Sequence, residues 1–201
     1  MDSRHPRIAI FEEFLGPAEL DRLHGYAQAR AADFAESRCV GKDMGGVHDP
    51  QHRRSLVLYD LGDFRDLVGR RIMRTLPLVF HRLGIDACPI TALEMQFTAS
   101  NDGDFFRAHT DSDNGLVSRR WVTFVYFCHR QPVAFTGGAL LIYGRDSVTG
   151  VDLTDMGYSI HPTQNAIVFF RSDRLHEIVP VSCPGRTFVD GRMTVNGWLY
   201  K

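Results

Sequence analysis

The chain has 201 residues, 23 Lys and Arg against 24 Asp and Glu, and a formal net charge of -1. That length suits one domain, residues 1–201, with a core that needs no crosslinks, and the charge balance gives no bulk attraction for nucleic acid or an anionic membrane surface. No apolar run reaches spanning length, the opening MDSRHPRIAIFEEFL lacks a signal-peptide pattern, and Cys39, Cys88, Cys128 and Cys183 form no CxxC pair, so free thiols and a cytoplasmic protein are expected.

The first quarter reads as helical. From Pro17 to Phe34, apolar residues fall three or four apart at Leu20, Leu23, Ala27, Ala31 and Phe34, with Pro17 suited to a first turn. A second helix is predicted over about 63–83, with the stripe Phe64, Val68, Ile72, Leu76, Val79 and Leu83. Asp63 is placed to cap it and Gly84 to end it, and Pro77 inside the stripe predicts a kink or break.

From about Ser55, outside that helix, the pattern turns to short β-rich runs: SLVLYD, ITALEMQF, FFRAHTD, RWVTFVYF, GALLIYG, NAIVFF, LHEIVPV and RMTVNGWLY. Clusters at Asn101-Asp102-Gly103, Gly137-Gly138 and Pro184-Gly185 separate them. Apart from that second helix no helices are evident between these strands, so a doubly wound α/β fold is a poor match. The expected class is mainly β (α+β): a curled sandwich or jelly roll over about 90–201, with a helical part over about 10–85 packed outside one sheet. The mouth of such a barrel holds small ligands and metals.

FFRAHTDSD supplies His109 and Asp111 two positions apart, and residues i and i+2 of a strand face the same side, so both can grip one metal ion. His176, in FFRSDRLHEIVPV, offers a third ligand from a distant strand. Two imidazoles and a carboxylate on one face of an octahedron leave sites open for a co-substrate and oxygen, the pattern of non-haem Fe(II) oxygenases. An HxD tripeptide alone is weak, because 9 histidines among 24 acidic residues produce such pairs in solvated loops by chance. Here the pair ends an aromatic-rich strand, His176 begins another, and no cysteine lies nearby to suggest structural zinc. His5, His24, His48, His52, His81, His129 and His161 show no partner at ligand spacing and read as surface or satisfied core residues.

Activating dioxygen takes more electrons than one Fe(II) supplies, and a chelating 2-oxo acid provides them by decarboxylation. Its far carboxylate needs a fixed cation, for which the guanidinium fork is well matched. Arg186 and Arg192 both follow His176. Arg192 begins the last strand, on one face with Thr194, Asn196 and Trp198, whereas Arg186 sits beside Pro184-Gly185 in a loop. Strand placement favours Arg192.

The stretch from about Ala92 to Tyr200 resembles the catalytic core of the 2-oxoglutarate/Fe(II) dioxygenases, prolyl 4-hydroxylase subgroup. The matching pieces are His109–Asp111, RWVTFVYF, TGGALLIYG, IVFFRSDRLHEIVPV and RMTVNGW. The resemblance implies a double-stranded β-helix. It assigns His109, Asp111 and His176 to the metal and to catalysis, and Arg192, six positions before Trp198, to the 2-oxoglutarate carboxylate. Counting about ten positions on from the distal histidine, also usual in the family, lands on Arg186 instead. Asn196, Thr123, Phe127 and Leu140 complete the expected co-substrate pocket. Where relatives place tyrosines, this chain offers Phe127 and either Phe97 or Ser100, and both phenylalanines read first as core packing.

The implied reaction consumes 2-oxoglutarate and O2 at Fe(II), with ascorbate as an auxiliary reductant. It releases succinate and carbon dioxide and hydroxylates a C–H bond of a prolyl residue, proline or a related small molecule. The carboxylate of Asp111 favours hydroxylation over halogenation. Arg53, Arg54, Asp113, Asn114 and Arg174 are candidate substrate contacts, although each is more often a solvated group. The rival readings are a metal-binding β-barrel that only senses or scaffolds, and a metal-dependent hydrolase. The latter would need a base, and Glu177, adjacent to His176 on its strand, should face away.

Overall fold

The computed structural model describes residues 4–39, 46–112 and 117–201. In chain order the elements are β1 (Ile8–Phe11), α1 (Pro17–Ala29), β2 (Ala35–Glu36), β3 (Arg53–Arg54), β4 (Leu56–Leu58), α2 (Phe64–Leu83) and β5 (Ala92–Ser100). They continue as β6 (Phe105–His109), β7 (Arg120–Phe127), β8 (Thr136–Gly137), β9 (Leu140–Arg145) and β10 (Asp152–Ile160). The last are β11 (Ile167–Arg171), β12 (His176–Ile178), β13 (Val181–Ser182) and β14 (Arg192–Tyr200). A seven-stranded sheet runs β1-β11-β7-β14-β5-β4-β2, and a five-stranded sheet runs β10-β9-β12-β6-β3. The strand pairings are antiparallel, with β13 and β8 pairing separately. This is the mainly β architecture expected, with two helices on one face of the larger sheet.

Side-chain alternation explains how that sheet serves two environments. Met193, Val195 and Leu199 of β14, Met95 and Phe97 of β5, and Val122, Phe124 and Tyr126 of β7 join the helices in one apolar core. Leu23 of α1 and Val68, Ile72 and Val79 of α2 supply the helical side. The opposite faces of the same strands carry Arg192, Thr194, Thr98, Ser100 and Thr123, all buried although polar. Buried polar groups on one face of a sheet mark a ligand-binding interior, because each needs a partner there. Val125, Phe127, Leu140, Ile142, Val168 and Phe170 fill the remaining space between the sheets.

The helices form for local reasons. Pro17 opens α1, and the Glu19 carboxylate accepts the Gly16 backbone N–H at 2.7 Å. Glu19 also accepts from Arg71 at 2.7 Å, tying α1 to α2. Gly84 ends α2 at φ 62, a left-handed position that suits glycine.

Four local expectations need correction. The first helix stops at Ala29 and a 3-10 turn follows over Ala31–Asp33, which turns Phe34 into the core beside Phe97 and Phe188. Helix α2 passes unbroken through Pro77, which lies on its exposed side. Asp63 stands at the N-cap without making a side-chain capping bond. Finally, β1 and β10 lie at sheet edges and carried no strand expectation. In β10, every residue is exposed or half-buried, so no apolar alternation marks it. Among the described residues no helix is long and apolar enough to cross a membrane.

Candidate active site

His109 closes β6 and His176 opens β12, and the two are direct partners in the antiparallel ladder. Asp111 lies just beyond the end of β6, where its backbone N–H donates to the Ser172 carbonyl at 2.9 Å. That turn carries the carboxylate back between the imidazoles. One potential ligand atom from each of the three lies within 4.8 Å of the others. His176 Nε2 is 3.3 Å from Asp111 Oδ2, and His109 Nε2 is 3.7 Å from Asp111 Oδ1. Among the described residues no second group of three such side chains converges this way.

The surroundings orient these atoms. His109 Nδ1 is 2.8 Å from the Arg107 carbonyl and His176 Nδ1 is 2.9 Å from that of Arg174. A carbonyl only accepts, so each Nδ1 carries the proton and each Nε2 presents a lone pair. Thr123 donates to Asp111 Oδ2 at 2.8 Å and accepts from Ser172 at 2.9 Å. Phe106 stacks on His109 at 3.5 Å between ring centroids, and Phe170 meets His176 edge-on at 4.7 Å. Burial, then neighbouring His176, pulls the His109 imidazole down to about 3. Burial by itself pushes the Asp111 carboxyl up, but His176, His109 and the Thr123 hydroxyl outweigh it and hold it below the ordinary carboxylate range. A neutral His109 imidazole beside an ionised carboxylate is the form a divalent cation requires. The donor set fits a hard-to-borderline metal with further ligands to come.

The triad borders a cavity whose wall includes Thr98, Ser100, Leu140, Arg192, Thr194 and Asn196. Arg192 is only 2% exposed and its Nε donates to the Gly138 carbonyl at 2.7 Å. Its guanidinium carbon lies 5.2 Å from the Phe127 ring centroid. Its Nη2 is buried with no hydrogen-bond partner among the described residues. A buried, charged, unpartnered donor costs stability unless a ligand completes it, and a carboxylate is the complement. Arg186 is different: exposed and ion-paired with Asp102 at 2.8 Å.

The other expected residues divide. Asn196 and Leu140 line the cavity, and the Asn196 carbonyl oxygen accepts from Thr98 at 2.6 Å. Thr123 lines it too, with its hydroxyl committed to Asp111 and Ser172. Phe127 sits against the Arg192 guanidinium rather than on the open wall. Ser100 faces the cavity, whereas Phe97 turns to the helix side against Tyr26 and Phe34. Arg53 and Arg54 reach the cavity, while Arg174 pairs with Asp173 at 3.7 Å outside it. Asp113 and Asn114 lie outside the described residues. Glu177 accepts from the Tyr143 hydroxyl and takes no part in the triad.

Sequence reasoning missed Ser172, Thr98 and Gly138. Thr98 had a readable signal, since it shares a β5 face with Ser100. Ser172 had none, because its roles depend on the fold bringing β11 beside Asp111. His129 was read as ordinary, yet both of its ring nitrogens are buried without partners among the described residues. Burial, then the charge of Arg192, lowers it to about 4.

Comparison with known proteins agrees with this geometry. The profile of the 2OG-Fe(II) oxygenase superfamily matches residues 95–200. An uncharacterized PKHD-type hydroxylase of Synechocystis sp. is 32% identical over 193 residues, 94% of this chain, and the chain spans 62% of that relative's length. Among solved structures, a prolyl-4-hydroxylase of Pseudomonas putida superposes with a TM-score of 0.67 at 19% identity, covering 98% of this chain and 94% of its own. A prolyl hydroxylase of Trichoplax adhaerens, solved with a hypoxia inducible factor oxygen degradation domain peptide fragment, gives 0.65 at 18%, covering 97% and 84%. At those identities the structures speak for the fold alone, and the family rests on the profile. The chain therefore belongs to the 2OG-Fe(II) oxygenase superfamily, the non-haem iron dioxygenases that use 2-oxoglutarate.

Proposed function

We propose that this protein hydroxylates an unactivated C–H bond, with Fe(II), 2-oxoglutarate and dioxygen as cofactor and co-substrates, ascorbate as an auxiliary reductant, and succinate and carbon dioxide as by-products. The observation that carries the reading is the unpartnered Nη2 of Arg192, buried in the cavity that the triad borders.

In this reading His109, Asp111 and His176 hold the metal through Nε2, a carboxylate oxygen and Nε2. Arg192 takes the far carboxylate of 2-oxoglutarate through its free Nη2, while Gly138 and Phe127 keep the guanidinium from turning away. Thr123 and Ser172 hold the Asp111 carboxylate in one orientation. Bound iron and 2-oxoglutarate together supply the oxidising power, one oxygen atom going to succinate and one to the substrate carbon. The protein contributes position and the exclusion of water. The substrate proposed is a prolyl residue, proline or a related amino acid, a reading supported by fold similarity to prolyl hydroxylases. The four unpaired cysteines suit a reducing compartment, for which the cytoplasm is proposed.

Anaerobic titration with Fe(II) and 2-oxoglutarate tests this reading. A weak visible charge-transfer band is expected, and its absence in folded protein would overturn the proposal. Arg192→Met should weaken 2-oxoglutarate binding by about tenfold or more, and Arg186→Met should not. A mass-spectrometric screen for gain of one oxygen atom across prolyl peptides, free amino acids and cell extract would then identify the substrate.

A further inference from the structure

Of the three arginines that border the cavity, Arg54 donates to the Gly103 carbonyl, and the other two form no ion pair with a described residue. Arg192 is the first. The second is Arg53, on the short strand β3 that pairs with β6 directly opposite Phe106. Its side chain borders the cavity near the triad. Its guanidinium carbon lies 4.7 Å from the centroid of the Phe106 ring, which itself stacks on His109. Nε donates to the Ser55 hydroxyl at 3.2 Å, and no ion pair is formed with any described residue. Asp111, the carboxylate of the cavity, is already committed to His109, His176 and Thr123.

Counting charges shows what is missing. In the reading proposed above, on which this inference rests, the two positive charges of Fe(II) and the one of Arg192 are matched by Asp111 and the dianion of 2-oxoglutarate. Arg53 is then one positive charge in excess, in a half-buried site walled by Phe106. An uncompensated cation in a low-dielectric cavity is costly and attracts a counter-charge. Arg54 also borders the cavity but is exposed, and its Nη2 donates to the Gly103 carbonyl.

We infer that Arg53 is the substrate anchor, and that the substrate carries a carboxylate close to the carbon that is hydroxylated. Two sources offer that chemistry, a free amino acid and the C-terminal residue of a peptide. An internal prolyl residue does not. The guanidinium packs over Phe106 with Nε on Ser55 and borders the cavity, and a carboxylate binds such a fork through two hydrogen bonds. Arg53 is thus a specificity-determining residue, distinct from the arginine that holds the co-substrate.

The test uses the full chain loaded anaerobically with Mn(II) and 2-oxoglutarate. Calorimetric titration compares the proteinogenic amino acids with their primary amides, and proline-ended peptides with free or amidated C-termini. At least one acid should bind about tenfold or more tighter than its amide. The arm in which this happens separates free amino acids from peptide ends. Arg53→Met should erase the preference, Arg53→Lys should retain part of it, and Arg186→Met, at an exposed arginine outside the cavity lining, should leave it intact. The 2-oxoglutarate affinity of Arg53→Met should stay within about threefold of the parent, which also shows that the variant is folded. Amides matching their acids, no acid binding at all, or a loss of 2-oxoglutarate affinity equal to that of Arg192→Met would each overturn the anchor. If the Mn(II) and 2-oxoglutarate complex itself fails to form, the functional reading fails first.

Discussion

Gly138 and Arg192 are held in direct contact. The Gly138 carbonyl accepts from Arg192 Nε at 2.7 Å, and a Cβ on Gly138 would fall 2.6 Å from Arg192 Cδ and 3.1 Å from Val181 Cγ2. Gly138 also has φ 65, a conformation that L side chains rarely adopt. Gly138→Ala should therefore push the guanidinium out of place and weaken 2-oxoglutarate binding by about tenfold or more, beyond a backbone cost of about 1–2 kcal/mol. Gly150→Ala is the control, since φ there is 71 but the nearest atom to a new Cβ is 3.7 Å away. It should lower the melting temperature without altering 2-oxoglutarate affinity. Equal co-substrate affinity in the two variants would refute the coupling.

Thr123→Val keeps the shape of the side chain and removes the hydroxyl shared by Asp111 and Ser172. A ligand carboxylate that loses such a support typically costs 10–100-fold in metal affinity, so a loss of about that size is expected. Competition with a chromophoric chelator measures it. Unchanged affinity would mean that the Ser172 backbone contact alone fixes Asp111.

Metal-free protein should lose stability in acid over a definable window. Unfolded histidine takes up a proton near 6.5, whereas buried His109 does so only at about 3. Its contribution is fully present above pH 6.5 and is lost as pH falls toward 3. Within that window the slope is about 1.4 kcal/mol per pH unit for one proton. Asp111 acts in the same sense at lower pH: its folded carboxyl lies below the ordinary 3.8, so its stabilisation exists above that value and is lost as pH falls through the lowered one. His109→Gln should flatten the denaturant-derived stability of chelator-treated protein between pH 6.5 and 4.5. A slope identical to the parent's would contradict the burial argument.

Pro77→Ala should stabilise the protein. Helix α2 is held on both sides of Pro77 by buried Ile72, Leu76, Val79, Phe80 and Leu83, so the ladder continues without the Pro77 N–H. Met73, whose carbonyl loses that donor, is 46% exposed and open to water. Alanine would restore the bond, with a gain of about 1–3 kcal/mol, reduced by the greater freedom of the unfolded chain. Thermal melting of the two proteins decides it.

Amino-acid order alone determined the features whose signal is local or chemically rare. The amphipathic stripe of α2 and the polar face of β14 follow from side-chain period. His109, Asp111 and His176 stood out because the pair ends an aromatic-rich strand, His176 begins another, and no cysteine lies nearby. Arg192 was preferred to Arg186 by strand placement; the structure buries Arg192 beside Gly138 and leaves Arg186 exposed on Asp102. What only the tertiary structure decided depends on partners distant in the chain. Strand β10 exists because β9 offers it an edge, although its own residues carry no apolar alternation. Pro77 stays helical because burial on either side outweighs one missing hydrogen bond. Ser172 reaches Asp111, and Arg53 comes to the cavity beside the triad, because two sheets close on each other. Periodicity encodes which way a side chain faces, but not which distant residue it will meet.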